Sequence, residues 1–203
     1  AAQHAIRKKE AFFFKDFTAY MAILLFARCA MRLNEPLRLK VEHYSPSQAT
    51  VYIEKTKFSK DRLIPIQKIL RGEMDNYLNL RHGFITDQNP YLLPGSRGRA
   101  LSDHHIYKMF HGAVKAIGLE QPRRIIANTT FGRPTPHCLR HSFAINTLKR
   151  IKEQGRSPQQ ALPVLSSYLG HRKYRYTAVY LKVLDAEQRQ GLVDFAISRQ
   201  EEI

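Results

Sequence analysis

The sequence predicts an α+β fold, mostly helical, with a small antiparallel β-sheet in its N-terminal third. Apolar residues recur at helical spacing in long segments separated by Gly, Pro, Ser or Asn. Two short runs, Thr50 to Glu54 and Arg62 to Ile66, alternate with period two instead. No internal repeat or low-complexity tract interrupts this pattern.

Residues 1–10 are polar and basic and are expected to be the end of a linker, with residues 11–203 forming one domain. Ala11 to Cys29 is predicted as a helix with Phe13, Phe17, Tyr20 and Leu24 on its core face. Asn34 can cap a short helix with Pro36 in its first turn, where proline is tolerated. Lys40 to Tyr44 is strand-like and runs into a Ser-Pro-Ser turn. The loop from Thr56 to Asp61 joins the two alternating runs as a β-hairpin. Ile66 to His82 is helical, with Ile69, Leu70, Met74, Tyr77 and Leu78 as its apolar face. Gln88 to Arg99 carries Pro and Gly and is expected as loop.

Ser102 to Gly118 is an amphipathic helix, with the serine as cap and the glycine as stop. Glu120 to Pro136 is expected to be a basic loop. His137 to Lys152 is helical, with Leu139, Phe143, Ile145 and Leu148 as candidate core residues. Ser157-Pro158 opens a helix that ends at Leu169, with Gly170 as its C-cap. Tyr174 to Val183 is a short helix. Asp185 to Ser198 is a final amphipathic helix bearing Leu192, Val193 and Ala196.

Composition narrows the function classes. With 33 Lys and Arg against 17 Asp and Glu, the 203-residue chain has a net charge of +16. That charge points to a polyanionic partner, nucleic acid first and an anionic membrane surface second. The membrane reading is the weaker one, because the basic residues are spread along the chain rather than gathered on one amphipathic helix. No apolar run is long enough to span a bilayer, and the N-terminus lacks the shape of a signal peptide. It also lacks an initiator Met, so the chain is expected to be a fragment. Cys29 and Cys138 fit neither a disulfide framework nor a zinc spacing, which suits a reducing cytoplasm. The nine histidines form no metal-binding ladder. His104-His105 is expected at the surface, and neither metal nor cofactor is expected.

The most constrained stretch runs from Pro136 to Tyr180. It opens with Pro136-His137-Cys138-Leu139-Arg140-His141 and closes with Leu169-Gly170-His171, nine residues before Tyr180. His137 and Arg140 stand at i and i+3, so a helix presents them on one side, and the same holds for Thr177 and Tyr180. This combination resembles the active-site signature of the tyrosine recombinases, the phage integrase family. The resemblance extends over nearly the whole chain in the right order. Arg32-Leu33-Asn34-Glu35 resembles the family's first arginine box, Arg-x-x-Glu. The hairpin from Glu54 to Pro65 resembles the one that carries the family's lysine. Counting back from Leu63-Ile64-Pro65, that position falls on Lys57, with Lys55 and Lys60 as rivals by proximity. One departure is Ala30-Met31 ahead of Arg32, where the family commonly has Gly-Leu.

The resemblance implies a tyrosine recombinase catalytic-domain fold and site-specific DNA recombination or integration, as on mobile elements. Its chemistry explains the residue types. A phosphodiester under attack gathers charge on its non-bridging oxygens, and fixed cations must meet that charge. Arginine suits the task because its planar fork donates in pairs and stays protonated. Arg32 and Arg140 are the implied pair, and Arg38 is expected at the surface. Tyr180 is the implied nucleophile, forming a 3′-phosphotyrosine that conserves bond energy, so rejoining needs no ATP. A phenol with a pKa near 10 needs a base or strong positive charge to react near neutrality. His137 is implied as general acid/base, His171 as a hydrogen-bond donor to the phosphate, and Lys57 as the acid for the leaving 5′ oxygen.

His141 is expected to be a cap or a packed side chain, and Tyr168 and Tyr176 to belong to the core. The implied partner is double-stranded DNA, bound by a homotetramer in the cytoplasm at the nucleoid. The separate N-terminal DNA-binding domain of full recombinases is expected to be absent from this chain. Type IB topoisomerases share the chemistry, but the spacing from Leu-Gly-His to Tyr favours recombinases. The alternative is a non-catalytic DNA-binding protein that retains the fold.

Overall fold

The computed structural model describes residues 1–54, 61–85, 88–122, 124–126 and 129–186, which form two compact units divided after Arg140. The first unit holds helices α1 (Glu10–Cys29), α2 (Asn34–Arg38), α3 (Lys68–Phe84) and α4 (Asp103–Ala116). It also holds strands β1 (Tyr44–Ser45), β2 (Thr50–Ile53), β3 (Arg62–Pro65), β4 (Arg124–Ile126) and β5 (Thr129–Phe131). Helix α5 (Pro136–Glu153) starts in the first unit and continues into the second, which also contains α6 (Pro158–Leu169) and a helix α7 over residues 175–186. The predicted class, mostly helical with a small antiparallel sheet, is the observed one.

Helix α1 is the centre of the first unit and packs against α3 and α4. The expected stripe of Phe13, Phe17, Tyr20 and Leu24 is only half-buried. The buried positions lie beside it, among them Phe14, Thr18, Met21, Leu25, Phe26 and Cys29. Apolar residues occupy almost every position from Ala19 to Ala27, and a helix that is apolar nearly all round is buried nearly all round. Thr18 satisfies its hydroxyl on the Phe14 carbonyl, and it lies 3.3 Å from the Tyr77 hydroxyl, which itself donates to the Leu92 carbonyl. On α3, Leu70, Met74, Tyr77 and Arg81 are buried, whereas Ile69, expected in the apolar face, is exposed.

The expected linker end is tied down. Arg7 grips the Asp16 carboxylate with its backbone amide and two guanidinium nitrogens, at 2.7–3.1 Å. His105, expected at the surface, is mostly buried and reaches the same carboxylate from α4 at 3.1 Å.

The three-stranded sheet has the order β1-β2-β3 and is antiparallel, with Val51 opposite Ile64 and Ile53 opposite Arg62. Period-two alternation buries Val51, Ile53 and Ile64 on one face and leaves Tyr52 and Leu63 exposed on the other. Two expectations need correction here. Lys40 to Tyr44 is a strand only at its last residue: Val41–His43 is a turn of 3₁₀ helix, because the His43 ring accepts the Lys40 amide at 3.2 Å and closes the backbone, and β1 starts at Tyr44. Glu120 to Pro136 is not all loop, since β4 and β5 pair antiparallel within it, Ile125 opposite Thr130. Their Ile-Ile and Thr-Thr-Phe runs have the β-branched and aromatic character that favours strands.

In α5, Ala144 and Leu148 are buried, while Leu139, Phe143 and Ile145 are half-buried. Phe143 stacks on Tyr168 of α6 with centroids 5.4 Å apart. Helix α6 ends at Gly170 in the left-handed conformation, φ 63°, as its C-cap position demands. Tyr176, expected in the core, is exposed. Helix α7 runs unbroken to residue 186, past the expected break between Val183 and Asp185, and the rest of the expected final helix lies outside the described residues.

Candidate active site

The first unit assembles its charged groups where α1 ends. Ala30 caps that helix in the left-handed conformation, φ 51°, a position that favours glycine. The turn aims the Ala30 carbonyl at the guanidinium of Arg140, which donates to it from α5. Arg140 is 1% exposed. Two residues past Ala30, the Arg32 amide donates to Glu35 Oε2 at 2.7 Å and its Nη1 to Oε1 at 2.9 Å. Arg62 reaches the same carboxylate from β3, Nη1 to Oε1 at 3.0 Å and Nη2 to Oε2 at 2.7 Å. Burial alone would raise the Glu35 carboxyl, but the hydrogen bonds and charge of Arg62, then of Arg32, outweigh it and hold the group below the usual carboxylate range.

Arg32 and His137 line one cleft of about 530 Å³, together with Asn34, Glu35, Arg38 and His43. The Arg32 side chain keeps 26% of its surface exposed. His137 is exposed at the start of α5, and Arg38 is exposed as expected yet borders the same cleft. Arg32 and Arg38 line the cleft with Glu35 and Glu54, and Arg62 pairs with Glu35; three arginines against two carboxylates leave a net positive charge, so the cleft suits an anion with acceptor oxygens.

The second unit holds the other two candidates. The left-handed turn at Gly170 turns the chain into His171, whose amide bonds back to the Ser166 carbonyl at 3.0 Å. His171 Nδ1 lies 2.8 Å from the hydroxyl of the fully buried Thr177. One turn further along α7, Tyr180 is 5% exposed, and its hydroxyl lies 2.9 Å from Nδ1 of His141. Where Nδ1 carries no proton, the phenol donates to it, which is the arrangement a nucleophile and its base require. Lys57, together with its rivals Lys55 and Lys60, falls outside the described residues.

Three residues of this geometry carry little signal in the sequence. His141, expected as a cap or a packed side chain, is a fixed position of His-x-Leu-Arg-His, and that is the available signal. Thr177 was noted only for its spacing to Tyr180. Arg62 gave no signal, because its partner Glu35 is 27 residues away in sequence. Among the described residues, no group of three or more His, Cys, Asp or Glu side chains is placed to hold a metal ion, and no helix is long and apolar enough to cross a membrane.

Known proteins give this geometry a context. The sequence pattern of the phage integrase family matches residues 4–187. The Sinorhizobium fredii protein y4rB, described as an integrase/recombinase, is 33% identical over 169 residues, covering 82% of this chain and 52% of the relative. Tyrosine recombinase XerA of Pyrococcus horikoshii is 28% identical over 175 residues, covering 85% and 53% respectively. The chain therefore spans about half the length of the curated relatives it matches. Among solved structures, XerH site-specific recombinase bound to a palindromic difH substrate superposes with a TM-score of 0.66 at 22% identity, covering 88% of this chain and 46% of XerH. At that identity the likeness speaks for the fold, and the fold agrees with the sequence match. The chain belongs to the phage integrase family.

Proposed function

We propose that this chain is the catalytic part of a tyrosine-type site-specific DNA recombinase or integrase. The observation that carries the reading is the Tyr180 phenol, buried on α7 and hydrogen-bonded to an imidazole at 2.9 Å. In the proposed reaction the Tyr180 oxygen attacks the scissile phosphorus and the bond to the 5′ oxygen breaks. The phenolic proton passes to a neighbouring imidazole, and a 3′-phosphotyrosine remains. Arg32 and Arg140 meet the charge on the non-bridging oxygens. His137 serves as general acid/base, His171 donates a hydrogen bond to the phosphate, and Lys57 protonates the departing 5′ oxygen. Rejoining is the same path run backwards, with a 5′ hydroxyl as the attacking group.

The partner in this reading is double-stranded DNA, the working assembly a homotetramer on it, and the compartment the cytoplasm at the nucleoid. The net charge of +16 supports a DNA partner. So do the relatives named as recombinases and the XerH structure solved with its substrate. The test is incubation with a nicked suicide duplex followed by denaturing electrophoresis. A covalent protein–DNA band that survives EDTA is the expected result. A gel shift without that band points to a DNA-binding protein that only retains the fold.

A further inference from the structure

We propose that Arg62 is a positioning residue for the reaction: it neutralises Glu35 and so keeps that carboxylate from cancelling the charge with which Arg32 meets the scissile phosphate. The inference rests on the reading that Arg32 meets that phosphate. It starts from strand register. Arg62 and Ile64 stand at i and i+2 on β3, so both side chains project from the buried face of the sheet. Ile64 suits that face. A guanidinium does not, and a charge in such a place is kept only if it is paired.

The pairing is specific. The Arg62 and Glu35 side chains are each 9% exposed, and two guanidinium nitrogens meet the two carboxylate oxygens at 3.0 and 2.7 Å. Such a fork-to-fork contact fixes the plane of the carboxylate as well as its place. The remaining donor, Arg62 Nε, is buried without a hydrogen-bond partner. The side chain is thus oriented for Glu35 at the expense of its own third donor. Replacing a whole buried Arg–Glu–Arg arrangement by apolar residues of similar volume is often neutral or stabilising, so fold stability alone is a poor account of why it is kept.

Charge supplies the better account. Glu35 also accepts from the Arg32 amide and from Arg32 Nη1. Were Arg62 absent, the whole negative charge of a buried carboxylate would fall on Arg32. Arg32 would be drawn into a two-pronged pair with Glu35 and would face the cleft as half of a neutral couple. With Arg62 in place, the carboxylate orients Arg32 without cancelling it.

The test compares adduct formation on nicked duplexes carrying either an ordinary scissile phosphate or a methylphosphonate, which has no negative charge for an arginine to meet. Arg62→Met is expected to slow the reaction on phosphate by about 10²-fold, the scale of losing one preorganised electrostatic group. DNA affinity should change little. On methylphosphonate most of that defect should disappear, as it should for Arg32→Ala. Arg62→Lys keeps a cation but not the fork, so it should show a smaller loss with the same recovery, and it decides the question if the Met variant does not fold. An equal loss on both substrates for the folded Arg62 variant, alongside recovery by Arg32→Ala, would overturn the proposal and leave the role of Arg32 standing. Failure of Arg32→Ala to recover would overturn the role of Arg32, and this inference with it.

Discussion

Nδ1 of His141 lies 2.9 Å from the hydroxyl of Tyr180, with ring centroids 5.8 Å apart and the rings tilted by 56°. The contact gives the imidazole that follows Arg140 in sequence a partner distinct from that of Arg140. The arginine points to the Ala30 carbonyl, while its neighbour, about 100° further round the helix, holds the phenol.

His141→Phe is therefore expected to bind DNA normally but form adduct more slowly, by a factor on the order of 10² to 10⁴, the range for a lost acid–base partner. His141→Asn, which can place an acceptor near the position of Nδ1, should recover part of the rate. Single-turnover adduct formation measures both. A Phe variant that cleaves at the unmodified rate would return His141 to a packing role.

Ala22 within α1 and Ala30 at its C-cap make a matched pair, both buried. Ala22→Gly adds backbone freedom and removes a buried methyl, a loss of about 2 kcal/mol in all. Ala30→Gly loses a similar methyl but relieves about 1 to 2 kcal/mol of left-handed strain. With the same backbone freedom added, it should fall between neutral and a loss of about 1 kcal/mol. Thermal melts should thus place Tm for Ala22→Gly lower than for Ala30→Gly by about 3 to 6 °C. Equal losses would contradict the conformation assigned to Ala30.

Burial, and then the charge of Lys15, depress the His105 pKa despite the favourable contact with Asp16. A histidine with a depressed folded pKa contributes stability that is present above its unfolded pKa of about 6.5 and is lost as pH falls through the folded value. Tm should decline as pH is lowered from 8 towards 5, and His105→Gln should reduce that slope. A variant with an unchanged slope would show that His105 does not titrate differently on folding.

Lys57→Ala should cleave ordinary DNA more slowly by a factor on the order of 10² to 10⁴. It should recover on DNA whose 5′-bridging oxygen is replaced by sulfur, because a thiolate leaves without a proton. Arg140→Ala should not recover, since the non-bridging oxygens are unchanged. Equal failure of Lys57→Ala on both substrates would remove Lys57 from the leaving-group role, and rescue of Lys55→Ala or Lys60→Ala instead would move that role along the hairpin.

Local patterns made much of this legible in the sequence. The helix ends at Leu169-Gly170, the antiparallel pair β2–β3 and the capped start of α4 are written in neighbouring residues, and each is observed. The core face of α1 was not legible, because a segment apolar at nearly every position has no periodicity to give a direction. The short strands β4 and β5 were hidden in a stretch read by its charge. At the site, Arg140 and His137 are implied by the resemblance of His-x-Leu-Arg-His to the family signature, which does not show that Glu35 is shared by Arg32 and Arg62. That arrangement depends on the register of β3 against β2, a long-range fact.

The most direct test of the account is the identity of the residue joined to DNA. Trypsin cutting after Arg175 and Lys182 releases residues 176–182, a peptide with two tyrosines: the exposed Tyr176 and the buried Tyr180. After adduct formation and nuclease trimming, fragmentation mass spectrometry is expected to place the residual nucleotide on Tyr180. A nucleotide on Tyr176, on any residue outside this peptide, or on none would contradict it.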